Sequence, residues 1–287
     1  VGYAVFELKA QKHREDMETF VRRRPLYQTL ALRAALEEGD AYKGWWFGAM
    51  ENGELEALVS IVGTKANIHA SSGDAAEAVA RTLLGNQKHN KSAAAHRHEV
   101  MGDERTMARF WPTFREIDRK VLVDQPRFLM GGGGDNGPLE SCSKRMILGY
   151  ATHHHQRLME DFLGEVVLEK FGVDPRRSNR AAHNKNVAAL IASGRQLLGY
   201  EKDKPVFVAE LVDINDTMVE LQNVWVPVAL RSRKRLIGGA FAQATALPHC
   251  QGKEVLVMAA NTGMHEAAKR AGMEQRAAFR FVAMIGH

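Results

Sequence analysis

The tetrapeptide Glu51-Asn52-Gly53-Glu54 constrains this chain more than any other stretch. Asn-Gly takes the positive φ angles of a two-residue reversal at little steric cost, so its flanks are expected to run back along each other. Those flanks, residues 44–50 and 55–62, are dense in aromatic and aliphatic side chains and read as an antiparallel hairpin.

A second hairpin is read from residues 205–212 and 218–226, turning at 213–217. Around the hairpins, helical periodicity marks 15–22, 26–38, 74–84, 107–117, 153–171, 178–193, 237–246 and 262–270. Short apolar runs mark strands at 3–8, 122–130, 144–150, 254–260 and 277–285. Both halves run strand, two helices, hairpin, helix, an order that points to internal duplication. At roughly 150 residues per domain, a chain of 287 residues suits two such units. The run Met130-Gly-Gly-Gly-Gly-Asp-Asn-Gly-Pro138 continues no regular element. The expected division is therefore 1–130, a linker at 131–138, and 139–287. No Lys-Ser or Lys-Thr pair follows the glycines, which argues against a P-loop.

The formal net charge is +5, a mild excess that favours an anionic ligand. Interleaved basic and aromatic residues of the kind that bind single-stranded nucleic acid are missing, so no nucleic-acid partner is expected. Cys142 and Cys250 stand alone, in neither a metal-type spacing nor a disulfide framework, which favours a reducing, cytoplasmic setting. Residues 86–98 are polar and read as a solvated loop; His96 and His98 are not read as a metal site, and no metal is expected. No apolar run reaches the ~18 residues of a membrane span.

The most informative stretch is Val224-Trp-Val-Pro-Val-Ala-Leu-Arg-Ser-Arg-Lys-Arg-Leu-Ile-Gly-Gly-Ala-Phe-Ala-Gln243. A strand end, a dense basic turn and a small-residue helix follow one another. A helix start offers unpaired backbone N–H groups and partial positive charge, and Arg231, Arg233, Lys234 and Arg235 add full charges there. Gly238 and Gly239 would let a ligand approach the backbone, and a diphosphate suits such a site. Glu220, on the strand leading to the turn, is a candidate proton acceptor, with Glu210 on the partner strand as the weaker alternative. Thr152 is read as capping a polar turn at His153-His154-His155, and Trp225 as hairpin packing in preference to stacking on substrate.

This segment resembles motif A of the Gcn5-related N-acetyltransferases, the GNAT superfamily, in which a Gln/Arg-x-x-Gly-x-Gly/Ala sequence follows a strand ending in Val-x-Val-Pro. Two registers fit: counting from the strand end gives Arg231–Leu236, and matching letters gives Arg235–Ala240. Residues 255–273 resemble motif B, with Asn261 and Gly272 matching, Met273 in place of Phe, and Ala268 where many members carry a Tyr. The resemblance implies an α/β (α+β) protein of tandem GNAT-like domains, each a mixed, mostly antiparallel twisted sheet flanked by helices, the first half degenerate. It implies acetyl-CoA as cosubstrate, its pantetheine arm along Val224, Trp225 and Val226, its diphosphate near residues 231–240, Ala240 included, and Asn261 beside it. It further implies acetyl transfer to a primary amine, on a small molecule or a protein, with a homodimer left open. The Ala at 268 keeps a non-catalytic acyl-CoA-binding relative as the alternative.

Overall fold

The computed structural model describes residues 2–37, 44–62, 65–85, 97–115, 119–140 and 146–286. Residues 86–96, with His96, and Cys142 lie outside these. In chain order the elements of the first half are β1 (Ala4–Leu8), α1 (Ala10–Arg22), α2 (Leu30–Glu37), β2 (Trp45–Glu51), β3 (Glu54–Val62), β4 (Lys65–Ala70), α3 (Gly73–Gly85), β5 (Arg97–Asp103), α4 (Glu104–Phe114) and β6 (Arg119–Gly133). The second half holds β7 (Met146–Tyr150), α5 (Gln156–Phe171), α6 (Pro175–Ser178), α7 (Arg180–Ala192), β8 (Gln196–Glu201), β9 (Lys204–Asn215), β10 (Met218–Trp225), α8 (Lys234–Thr245), β11 (Glu254–Ala259), α9 (Thr262–Arg270) and β12 (Glu274–Gly286).

The chain divides into two compact units, residues 1–129 with 276–287, and residues 130–275. In the first, the Asn-Gly hairpin is as expected: Asn52 and Gly53 carry φ of 52° and 84°, and Glu51 faces Glu54. Strand alternation then sorts side chains to two faces. Trp46 and Leu58 pack with Met17, Phe20 and Leu32 of α1 and α2, whereas their neighbours Phe47 and Val59 pack with Val79, Phe110 and Trp111 of α3 and α4. The strand order is β1-β2-β3-β4-β5-β12, with β6 beyond β12. β4 and β5 are parallel; β12 runs antiparallel to β5, Phe281 facing Met101. Arg280 pairs with Asp124 at 2.7 Å, and the Arg127 guanidinium lies 3.4 Å from the Phe281 ring centre.

The second unit repeats the plan. β7, β8, β9 and β10 pair antiparallel in sequence order, β10 and β11 pair parallel, and the end of β6 lies beside β11. Leu198 and Val208 face Met159, Phe162 and Val187 of α5 and α7. Phe207 points the other way, its ring 6.2 Å from Phe241 of α8. The expected mixed, mostly antiparallel sheet flanked by helices is present in each unit.

Two expectations about the division need correction. Residues 277–285 form a strand, but one that completes the first unit rather than the second. The last strand of the second half is thus delivered to the first unit, β12 against β5, and of β6 only residues 130–133 join the second unit, beside β11. The glycine run is also no free linker. Gly131–Gly133 finish β6, and Gly134–Asn136 form a 3-10 turn whose first amide donates to Lys253 O at 3.0 Å. The missing side chains permit close packing here: a Cβ on Gly132 would meet Leu139 Cδ1 at 2.6 Å, and one on Gly133 would meet Thr245 Cβ at 3.2 Å. The φ of +83° at Gly133 would strain any other residue.

Candidate functional site

The parallel ladder between β10 and β11 is short. It runs from Met218↔Glu254 to Leu221↔Val257 and ends there, although β10 continues to Trp225 and β11 to Ala259. The cause sits on the other edge of β10. Gln222 faces Glu210 and the next pair is Trp225 with Val208, so β10 spends three residues where β9 spends two. Asn223 takes up the extra step with φ of 49°, and its Nδ2 donates to Glu210 Oε2 at 3.2 Å. A bulge of this kind bends its strand. Here it turns residues 222–225 out of the parallel ladder and leaves the two strands unzipped at their C-terminal ends.

Chain direction then carries the backbone from the opened strand into the basic turn. Pro227 leads a 3-10 turn, Val228–Leu230, and α8 starts at Lys234 with Arg233 as N-cap. The unpaired amides expected here are largely spent: Arg231, Arg233 and Lys234 donate their N–H groups to the carbonyls of Val228, Leu230 and Ser232 at 3.2, 2.9 and 3.0 Å. The 3-10 turn closes the first of those short rings. The side chains are engaged as well. Arg233 makes a two-pronged contact with Glu201 at 2.5 and 2.6 Å, which holds the guanidinium above its usual pKa range. Arg231 pairs with Glu169 and donates Nε–H to Val226 O at 3.0 Å. Lys234 binds Glu266, whose carboxyl is thereby held below its ordinary range. Arg235 is exposed.

The two motif A registers now separate. Counting from the strand end places Arg231–Leu236 at the turn itself. Matching letters places Gly238, Gly239 and Ala240 in the second turn of α8, all buried, so these three supply no helix-start amides.

Glu220 shares a sheet face with Gln222 and Trp225, the face covered by α5 and α7. It is half-buried by surface exposure, but the protein around it is dense enough that desolvation pushes its carboxyl above the ordinary range; Gln222 Nε2, donating at 2.8 Å, offsets part of this. Trp225 packs edge-on against Phe162 at 4.7 Å and donates Nε1–H to Glu169 at 2.7 Å. Val224 is half-buried and Val226 buried. Asn261 is the N-cap of α9, its Oδ1 accepting from Met264 N at 2.9 Å. Ala268 is fully buried and, as an alanine, brings no hydroxyl to that position of α9. Thr152 N donates to His155 Nδ1 at 2.9 Å, which caps the three-histidine turn. Burial pushes the Cys250 thiol up to about 11, against a nucleophilic role. Among the described residues no group of three or more His, Cys, Asp and Glu could hold a metal ion, and no helix is long and apolar enough to cross a membrane.

The counterpart turn in the first unit is chemically different. β4 and β5 pair in parallel and α3 follows β4, but the connection reads Ser71-Ser72-Gly73-Asp74, without a cation. Ser72 Oγ accepts from Ala75 N at 3.1 Å, and the Arg109 side chain fills the space at Gly73, within 2.7 Å of where its Cβ would be. Sequence reasoning missed Glu169, Glu201 and Glu266, which lie 62, 32 and 32 residues from the cations they hold.

No family model and no curated protein sequence matches this chain. Solved structures do. The GCN5-related N-acetyltransferase from Sphaerobacter thermophilus is 12% identical with a TM-score of 0.61, over 97% of this chain and 95% of its own. An acetyltransferase of the GNAT family from Colwellia psychrerythraea is 10% identical with a TM-score of 0.53, over 99% and 100%. A tandem GNAT protein from the clavulanic acid biosynthesis pathway is 9% identical with a TM-score of 0.52, over 98% of each chain. The chain therefore has the fold of the GCN5-related N-acetyltransferases, in tandem form. At these identities the likeness speaks for the fold alone.

Proposed function

We propose that residues 130–275 bind acetyl-CoA at the opened end of β10 and β11 and transfer its acetyl group to a primary amine. The observation that carries this reading is the bulge at Asn223, which ends the parallel ladder immediately before a basic helix start. A strand edge released from its ladder suits an extended, amide-bearing arm, which can pair with it as an added strand. The cations at 231–235 suit the diphosphate at the far end of that arm. Glu220 would take the proton an amine must lose to become a nucleophile; desolvation brings its pKa closer to the working pH of a general base. A backbone N–H near Val226 would polarise the thioester carbonyl. The cytoplasm, where thioester donor and reduced thiols coexist, is the setting that goes with this reading. The acceptor's identity lies in loops outside both motifs.

A second reading is binding without turnover. It is favoured by Ala268, which leaves no hydroxyl at that position of α9 to protonate a departing thiolate. Release of free thiol from acetyl-CoA across a panel of primary amines separates the two. The transferase reading expects amine-dependent thiol release that vanishes in Glu220→Gln. Binding of CoA with no release on any amine would leave the second.

A further inference from the structure

Of the four cations around the start of α8, three are each held by a carboxylate from a different element: Arg231 by Glu169 of α5, Arg233 by Glu201 of β8, and Lys234 by Glu266 of α9. The six side chains retain between 14% and 42% exposure, so the pairs meet in solvent-accessible ground. Exposed pairs add little to stability. Folding is thus a poor reason for three of them around one turn. Chemically, a carboxylate on a guanidinium or ammonium makes the same charge-assisted contact as a phosphate oxygen. Arg233 shows this most clearly, since Glu201 grips it with the two-pronged geometry that guanidinium offers to phosphate.

We propose that Glu169, Glu201 and Glu266 are built-in competitors for the anionic ligand of this turn: the free protein keeps Arg231, Arg233 and Lys234 neutralised, and a ligand carrying several phosphate charges exchanges for the carboxylates. The inference rests on reading the turn as the diphosphate end of an acyl-CoA site. It selects for polyanions. A lone phosphate can replace one carboxylate at a time, whereas CoA brings a diphosphate and a ribose phosphate on one molecule. The exchange also reaches the acyl end. Glu169 accepts from Trp225 Nε1 at 2.7 Å, and Arg231 Nε donates to Val226 O at 3.0 Å, so drawing Arg231 onto a phosphate loosens contacts that hold the end of β10.

The test is calorimetric titration of the full chain with CoA, 3′-dephospho-CoA and inorganic phosphate, comparing wild type with Glu201→Gln, Glu266→Gln and the double variant. Glutamine keeps size and an acceptor oxygen but removes the competing charge. CoA affinity is expected to rise about threefold in each single variant and about tenfold in the double, the last being ~1.4 kcal/mol. The gain should be smaller for 3′-dephospho-CoA and smallest for phosphate, with melting temperatures little changed. If wild type binds CoA and the variants bind it equally or more weakly, the carboxylates position the cations and the proposal is overturned, while the acyl-CoA reading stands. Binding by the double variant alone supports the proposal in its strongest form. If no variant binds CoA, the acyl-CoA reading fails and this inference with it.

Discussion

Phe281 lies in β12, after the whole second unit in sequence, yet its substitution by Ala should destabilise the first unit. The ring is 3% exposed, faces Met101 across the β12–β5 ladder, and lies under the Arg127 guanidinium at 3.4 Å. Truncating a buried Phe costs about 3–5 kcal/mol through lost burial and the cavity left behind. A domain's whole stability is about 5–15 kcal/mol. At roughly 2–4 °C per kcal/mol for a unit of this size, the melting transition should fall by about 10 °C. Two probes locate the loss. Trp46 and Trp111, 1% and 4% exposed, sit in the first unit's core and report its unfolding by fluorescence. Hydrogen exchange should accelerate in residues 97–103. Were protection lost in residues 254–259 with 97–103 unchanged, the strand would belong to its own half of the sequence and the assignment of β12 to the first unit would be wrong.

Further predictions concern Glu220 and Asp103. Glu220→Gln should lower turnover by about 10²–10⁴-fold with CoA affinity unchanged. In wild type the rate should drop as pH falls through a value above the ordinary carboxylate range, because desolvation raises the Glu220 pKa and the base must be ionised; a variant with full activity refutes the assignment. Asp103 accepts from His69 at 2.8 Å, from Thr106 Oγ1 at 2.6 Å and, as N-cap of α4, from Thr106 N at 3.0 Å. Burial alone would raise its pKa, but these bonds outweigh it and hold it below the ordinary range. Its stabilisation is therefore present above the unfolded value and lost as pH falls through the lowered one. Asp103→Ala should cost about 2–3 kcal/mol at neutral pH by urea unfolding, a difference that shrinks in acid; an equal difference at both pH values contradicts this.

Local chemistry was legible where one residue type does one job. Asn52-Gly53 announced its turn because both residues tolerate positive φ. The β8–β9 turn did not: Lys202 and Asp203 carry φ of 49° and 62°, Lys is an unusual occupant there, and β8 went unread. The glycine run reads as slack in one dimension and serves as close packing in three, with Leu139 and Thr245 in the space the side chains leave. Residues 277–285 are plainly strand-like, but nothing local says which sheet they join. At the site, the basic turn stood out by charge. The bulge that opens the ladder rests on the backbone of a single Asn, and the carboxylates that neutralise the turn come from α5, β8 and α9. Strain at one residue and pairing across distant elements are properties of the folded chain.

The most direct measurement is calorimetric titration of the full chain with acetyl-CoA, beside an Arg233→Gln/Lys234→Gln variant, at two salt concentrations. One site per chain is expected, with affinity that weakens as salt rises and falls at least tenfold in the variant, whose unfolding stays within about 1 kcal/mol of wild type. An absence of binding at millimolar acetyl-CoA in wild type and in the Glu201→Gln/Glu266→Gln variant alike, or affinity undiminished in the Arg233→Gln/Lys234→Gln variant, would contradict the placement of an acyl-CoA site between the opened end of β10 and the start of α8.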